Sequence, residues 1–267
     1  MTQAASGDFS VSLERGLTIL SAFSANRPVL GIADLARIAG VTKSTAHRYV
    51  ATLAHLGYVQ QDPDTRKYSL GPKVADLGFA AIESMDLTRV AAPLLQALAD
   101  ETGFTVSMGV CESRDVVYVD RRRSGRRNVL AIDLNLHVGS RLPAYCTALG
   151  KAILAFRDPQ TLRQIIERSD LARRGPNTIT NREQLMAALA KVRQTGIAVN
   201  DEELAPGLRS FAAPIRDRTG EVIAAVNVAV HLSAAPASLE ALTAQIEPHL
   251  RRTAREISQR LGHRSAD

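Results

Sequence analysis

The chain has 267 residues, 33 Lys/Arg against 27 Asp/Glu, and a formal net charge of +6. With 45% apolar and 22% charged residues it has the make-up of a globular protein, not of a disordered or fibrous one, and its length suits one large domain or two smaller ones. No run approaches the roughly 18 apolar residues of a membrane span, no apolar leader opens the chain, and Cys111 and Cys146 stand at no paired or metal-binding spacing, so a reducing, cytoplasmic setting without disulfides is expected.

Residues 1–9 are small and polar and read as a disordered tail. "SLERGLTILSAFS" then sets Leu13, Leu17, Leu20 and Phe23 at helical spacing, and "NRP" ends the helix. "GIADLARIAG" is a short second helix with Ile32, Leu35, Ala36 and Ala39 inward and Gly40 placed to end it. A third helix follows in "VTKSTAHRYVATLAHLGYV". Thr42 is its N-cap, and Ala46, Tyr49, Val50 and Leu53 are its apolar stripe. Its other side carries Lys43, Ser44, Thr45, His47 and Arg48, and no acid lies between Arg37 and Arg48. Residues 1–70 as a whole are only slightly basic, with seven Lys/Arg against five Asp/Glu, so the local distribution matters more than the sum.

Short hydroxyls and long cations at a helix start suit end-first entry into a DNA major groove. Backbone N–H groups and Lys hold phosphates there, and Arg and hydroxyls reach base edges. A capped surface helix with solvated charges is the plainer alternative. The order helix, helix, Gly turn, helix, then a hairpin about "DPDT" favours a winged helix-turn-helix over residues 10–71. Arg66 and Lys67 in the hairpin are either DNA contacts or charges that protect an edge strand.

Gly71-Pro72 marks a break before a linking helix at 72–86, with Val74, Leu77, Ala81 and Met85 on one stripe, and a longer helix runs to Glu101. From Phe104 strand-like runs alternate with helices: "FTVSMGVC", "VVYVD", "VLAIDL", "GIAVN", "SFAAPI" and "VIAAVNVAV". The expectation for 87–262 is an α+β domain.

"SLERGLTILSAF", "LARIAGVTKSTAHRYVATLAHLGYV", "YSLG", "GSRLPAYCTALGKAILA" and "DEELAPGLRSFAAPI" resemble the IclR family of bacterial transcription regulators, over nearly the whole chain. The resemblance implies a winged helix-turn-helix, a linker helix and a GAF-like effector domain with an antiparallel sheet. It also implies dimers or tetramers on a palindromic double-stranded operator, with no cofactor and no catalytic residue. "GSRLPAYCTALGKAILA" is especially similar to members governing aromatic-acid catabolism, in the protocatechuate, p-hydroxybenzoate and catechol branches of the β-ketoadipate pathway. Other members govern other carbon sources, such as glyoxylate or sugar acids.

In "GSRLPAYCTALGKAIL" a strand end, a turn stiffened by Pro143 and a helix start follow one another, with Cys146 or Thr147 as cap. The first N–H groups of that helix form a place for a carboxylate, or are simply capped. The resemblance places effector-lining positions at Leu134, Leu142, Ala148, Leu149, Asn200, Leu208, Ser210 and Asn227. In "VIAAVNVAV", Val222, Ala224, Val226, Val228 and Val230 alternate with Ile223, Ala225, Asn227 and Ala229, which puts an Asn among small apolar neighbours. "DRRRSGRR" reads as a solvated loop of like charge, with Arg127 alone added to the effector candidates.

Two rivals remain. Cys146 at a helix start with His137 could be a thiol nucleophile, though no orienting third group or oxyanion loop accompanies it. Asp133, His137, Cys111 and Cys146 could hold a metal, at no standard zinc spacing.

Overall fold

A computed structural model describes residues 9–24, 27–83, 86–124, 136–233 and 238–264, with backbone alone for 79–83 and 86. The chain divides into two compact units, the first ending at Ser84 and the second beginning at Met85.

The first unit opens with α1 (Val11–Ser21), whose N-cap Ser10 accepts from the Leu13 N–H at 3.3 Å. It continues with α2 (Ile32–Ile38), α3 (Lys43–His55), the antiparallel pair β1 (Val59–Gln61) and β2 (Tyr68–Leu70), and α4 (Pro72–Glu83). Its small core gathers Ile19, Leu35, Val50, Val59 and Tyr68 from five different elements. Each helix alone is marginal in water, and the shared apolar face stabilises them together. Between α2 and α3, Gly40 takes φ +63°, a left-handed turn that side chains disfavour, and Val41 N–H closes on Ala36 C=O.

The stripe expected on α1 divides. Ile19 and Phe23 are buried and Leu20 is half-buried, whereas Leu13 and Leu17 are 62% and 53% exposed. At 100° per residue Leu17 lies about 160° and Leu13 about 120° round the helix from Ile19, so an 11-residue helix meets its own core only through its C-terminal half.

The second unit starts with α5 (Asp86–Thr102), then β3 (Thr105–Glu112), β4 (Asp115–Arg122) and β5 (Arg141–Pro143). A 3-10 turn at 144–146 leads into α6 (Ala148–Leu154), followed by α7 (Pro159–Arg168), α8 (Arg182–Thr195), β6 (Ala198–Asp201), β7 (Leu208–Arg216), β8 (Val222–His231) and α9 (Leu239–Arg260). The six strands form one antiparallel sheet in the order β5-β4-β3-β8-β7-β6. One face packs Met108, Phe211, Val226 and Val228 against Leu95 of α5 and Ile246 and Leu250 of α9. The other packs Val116, Tyr118, Ala212 and Ala225 against α6 and the buried stripes of α7 and α8.

Two expectations are corrected here. The alternation in β8 holds from Ala224 onward, but Val222 packs on the α6 side and Ile223 on the α5/α9 side. The ladder shifts register between Ile215 and Arg216, and a bulge turns side chains over. The start of "DRRRSGRR" is also no loop. Asp120, Arg121 and Arg122 finish β4, and the Arg122 guanidinium takes both oxygens of buried Asp120 at 2.7 and 3.0 Å. That neutral pair lets a charge-dense stretch stay in a ladder. The expected strand "VLAIDL" lies outside the described residues.

Candidate functional sites

In α3, Thr42 Oγ1 accepts from Thr45 N–H at 3.2 Å and lies 2.9 Å from Thr45 Oγ1. Ala46 and Val50 are buried, while Lys43, Ser44, His47 and Arg48 are exposed. Among the described residues no carboxylate pairs with Lys43 or Arg48. Thr45, half-buried and tied to the cap, serves the helix start as well as any partner. The hairpin is held by Asp62. Its Oδ1 accepts from Asp64 N, Thr65 N and Thr65 Oγ1 at 3.1, 2.7 and 2.9 Å, bonds that hold the carboxyl below its usual pKa, with the Thr65 backbone bond first. Arg66, at φ +58°, and Lys67 stand exposed at the tip. A cation at a left-handed turn and the Asp62 hydrogen bonds beside it make a preformed wing.

In the second unit Thr147, as N-cap of α6, accepts from Gly150 N–H at 3.1 Å. The first intrahelical bond runs from Lys151 N–H to Thr147 C=O, so the N–H groups of Ala148 and Leu149 precede the ladder and have no intrahelical acceptor. Gly150 permits this approach: a Cβ there would sit 2.1 Å from the Ala144 carbonyl oxygen. Lys151 and Glu203, both buried, form an ion pair, and Lys151 Nζ also donates to Val199 C=O at 2.6 Å. Burial pushes the Glu203 carboxyl up and Lys151 opposes this.

Under α6 the sheet presents polar side chains. Register pairs Arg121 with Ser107, Ser107 with Asn227, and Ser210 with Ala229, next to Asn227 on the same face. Ser107, Ser210 and Asn227 are all nearly inaccessible. Arg121 Nη1 donates to Ser107 Oγ at 3.4 Å. Asn227 Oδ1 is buried with no hydrogen-bond partner among the described residues, a state that costs about 1–3 kcal/mol. Tyr118 lies buried on the same face, and that burial pushes its phenol up to about 12, so it stays neutral.

The expected effector residues fall unevenly on this plan. Ala148 and Leu149 open α6, and Ser210 and Asn227 lie on the sheet face that α6 covers. Asn200, on the edge strand β6, pairs across the ladder with Ser210, and Leu208 lies two residues before Ser210 on β7, so both border that group, whereas Leu142 stands on β5 at the opposite edge. Both ends of the Asn200 amide already have backbone partners: Nδ2 donates to Cys146 C=O at 2.5 Å and Oδ1 accepts from Glu203 N–H at 3.1 Å. Leu134 and Arg127 lie outside the described residues. Sequence reading missed Ser107, Tyr118 and Arg121. The alternation in "FTVSMGVC" and "VVYVDRR" carries that signal, but only the pairing register shows which strands meet.

The thiol reading meets a physical obstacle. Cys146 is buried, and burial pushes its thiol up to about 11 instead of down. The helix start is capped by Thr147, and Cys146 Sγ faces Pro143 C=O at 3.8 Å. Cys111 is also pushed up by burial. No cluster of three metal-binding side chains occurs among the described residues, and Asp133 lies outside them. No helix of the described residues is long and apolar enough to cross a membrane.

A winged helix-turn-helix with cations at the start of its third helix, carried on a chain whose second unit buries polar groups beneath a helix start, defines a class: DNA-binding transcription regulators with an effector-binding domain. Residues 12–63 match the IclR helix-turn-helix domain and residues 79–259 the bacterial transcriptional regulator IclR C-terminal domain. The chain belongs to the IclR family. It is 39% identical over 225 residues to the Pca regulon regulatory protein of Pseudomonas putida, covering 84% of this chain and 76% of that one. A crystal structure of a transcriptional regulator from Rhodococcus sp. RHA1 is 37% identical, with TM-score 0.79 over 95% of this chain and 98% of that one. An IclR homologue from Microbacterium hydrocarbonoxydans, crystallised with 4-hydroxybenzoate, is 26% identical with TM-score 0.76, over 94% and 98%.

Proposed function

We propose that this regulator senses a small hydroxylated aromatic acid, or a product of its ring cleavage, beneath α6, and that the ligand changes its hold on a palindromic operator. The single observation that carries the reading is the unmatched acceptor Asn227 Oδ1 in a row that also holds Arg121 and Ser107. Arg121 and the N–H groups of Ala148 and Leu149 favour an anion. Asn227 Oδ1 asks for a donor, which a ligand hydroxyl supplies. Arg121 and Asn227 stand on strands two places apart, about 9.6 Å, a span suited to one substituted benzene ring. Leu149 and Ala225 offer apolar walls, and Ser210 reads a further polar group. The complex of the Microbacterium homologue with 4-hydroxybenzoate and the likeness to the Pca regulon regulator support this class.

On the DNA side, Thr42, Lys43, Ser44, Thr45, His47 and Arg48 are the groove contacts, and Arg66 and Lys67 the wing contacts. The active species is a cytoplasmic dimer, or pair of dimers, joined partly through the first helix and the linker helix, where Leu13, Leu17 and Leu77 are exposed. A symmetric dimer reads half-sites about 10 bp apart, or a multiple. The test is thermal denaturation against a panel of aromatic acids, followed by anisotropy on the DNA upstream of its own gene. Saturable stabilisation by hydroxybenzoates and a shift in DNA affinity of about 1–3 kcal/mol are expected. Response to none of the panel, with sugar acids active instead, would overturn the assignment.

A further inference from the structure

Just beyond the C-terminal end of α6, the second unit has a cleft of about 310 Å³ between Phe156, the α8–β6 turn, the end of β7 and the last turns of α9. That size is at the lower end of small-molecule sites. Arg193, Arg216, Arg251, Arg255 and His263 line it, and no carboxylate does. Three of the guanidinium groups are fixed on backbone carbonyls. Arg193 donates to Ala155 and Arg157 C=O at 2.6 and 2.9 Å, Arg216 to Gly220 C=O at 2.8 Å, and Arg251 to Thr195 C=O at 2.5 Å. Arg216 also stacks on Phe156, its Cζ 4.5 Å from the ring centre. A guanidinium has five donors, so each keeps some to offer.

The charges are not balanced from within. Arg251 is paired with Glu247 at 2.7 Å. Arg193, Arg216 and Arg255 have no acidic partner among the described residues. Burial, and then the Arg193 charge, hold the Arg216 guanidinium below its usual pKa, so this cation is held in place at a cost. Fixed like charges, with planar forks already oriented, bind a compact anion without further ordering.

We propose that this cleft is a second ligand site, for a small dianionic metabolite carrying a phosphate ester or two carboxylates, distinct from the candidate pocket under α6. One unit negative charge would leave two of the three unpaired cations uncompensated, so the ligand carries at least two. A cleft of about 310 Å³ walled by Phe156 and Pro214 has the size of a small molecule.

The test uses the full-length protein and two probes, inorganic pyrophosphate and malonate, in calorimetry and thermal denaturation at ionic strength held constant with NaCl. Saturable binding of at least one probe is expected, and the preferred probe tells phosphate ester from dicarboxylate. Arg255→Glu, a change at an exposed side chain that makes no ion pair among the described residues, should weaken binding by about tenfold or more, and Arg255→Lys by less, because the charge stays and the fork goes. Arg216→Gln, judged by the same readouts after confirming a cooperative melt, should weaken it too. No saturable binding of either probe, a response that NaCl alone reproduces, or equal affinity in wild type and Arg255→Glu would each overturn the proposal.

Discussion

Replacing Asn227 with Leu separates a ligand-reading residue from a structural one. The side chain is 5% exposed and its Oδ1 has no donor. In the ligand-free protein that oxygen has left water and gained nothing, at a cost of about 1–3 kcal/mol. An apolar side chain of similar volume removes the cost, so the ligand-free variant should be as stable as the parent or up to about 2 kcal/mol more so. A hydroxylated ligand should lose one hydrogen bond, about 0.5–1.5 kcal/mol, or two- to twelvefold in affinity. A ligand without the hydroxyl should lose nothing. Urea denaturation gives the first quantity, and calorimetry with 4-hydroxybenzoate and benzoate gives the other two. A variant that loses more than about 2 kcal/mol of stability while binding both acids as before would show that Asn227 holds the sheet together, and the reasoning would fail.

The other predictions concern the ion pair, the pocket, the DNA helix and the dimer. Lys151→Met strands a buried carboxylate and should cost about 3–5 kcal/mol in urea melts near neutral pH. Because burial raises the Glu203 pKa, the folded chain holds that proton more tightly than the unfolded one. Its contribution is therefore full below the ordinary carboxylate range and is lost as pH rises through the raised value, so the variant should be hurt less in mild acid; a penalty independent of pH contradicts this. Ala148→Leu, at a position 1% exposed, should fill the space beside the helix start and abolish the ligand response at a stability cost of about 1–3 kcal/mol; operator binding measured by anisotropy should stay intact. Arg48→Ala should lose about 1–3 kcal/mol on the preferred site and relax one base position, whereas Lys43→Ala should weaken all sequences alike and flatten the salt slope by about one unit. Leu17→Glu should lower the assembly state seen by light scattering without lowering the melting point of the first unit, since Leu17 is outside its core.

The first unit was legible because its signals are local. A Thr cap, a Gly turn, an acid-free helix face and an Asp-Pro turn each act within a few residues, and a short chain has few ways to combine them. The effector pocket was only half legible. Pro143, Thr147 and Ala148 are neighbours in sequence, so the helix start could be read. The floor beneath it comes from β4, β3, β8 and β7, and its longest-range pair, Thr105 with Ala229, joins residues more than a hundred apart in sequence. Ser107 and Arg121 look unremarkable in one dimension, and Arg121 sits in a charge-dense stretch that reads as solvated. The bulge before Arg216 left no sequence mark beyond ordinary residues, yet it exchanged Val222 and Ile223 between faces. Spacing alone puts Leu13 and Leu17 on one stripe with Phe23, because it does not say how much of a helix touches its neighbours.

The contact of Gly150 with the Ala144 carbonyl bears on how such a regulator can change its taste. Seating α6 over the sheet depends on a few positions where no larger side chain fits: Gly150, and Gly109, whose Cβ would meet Val116 at 2.6 Å and Leu149 at 3.2 Å. What the seated helix encloses is set by other residues, Ser107, Arg121, Ser210 and Asn227, which neither glycine constrains. Mutational drift, or a designer of biosensors, can therefore rewrite those four side chains while the two glycines stay fixed, and each new combination reaches the same backbone with a different chemical vocabulary.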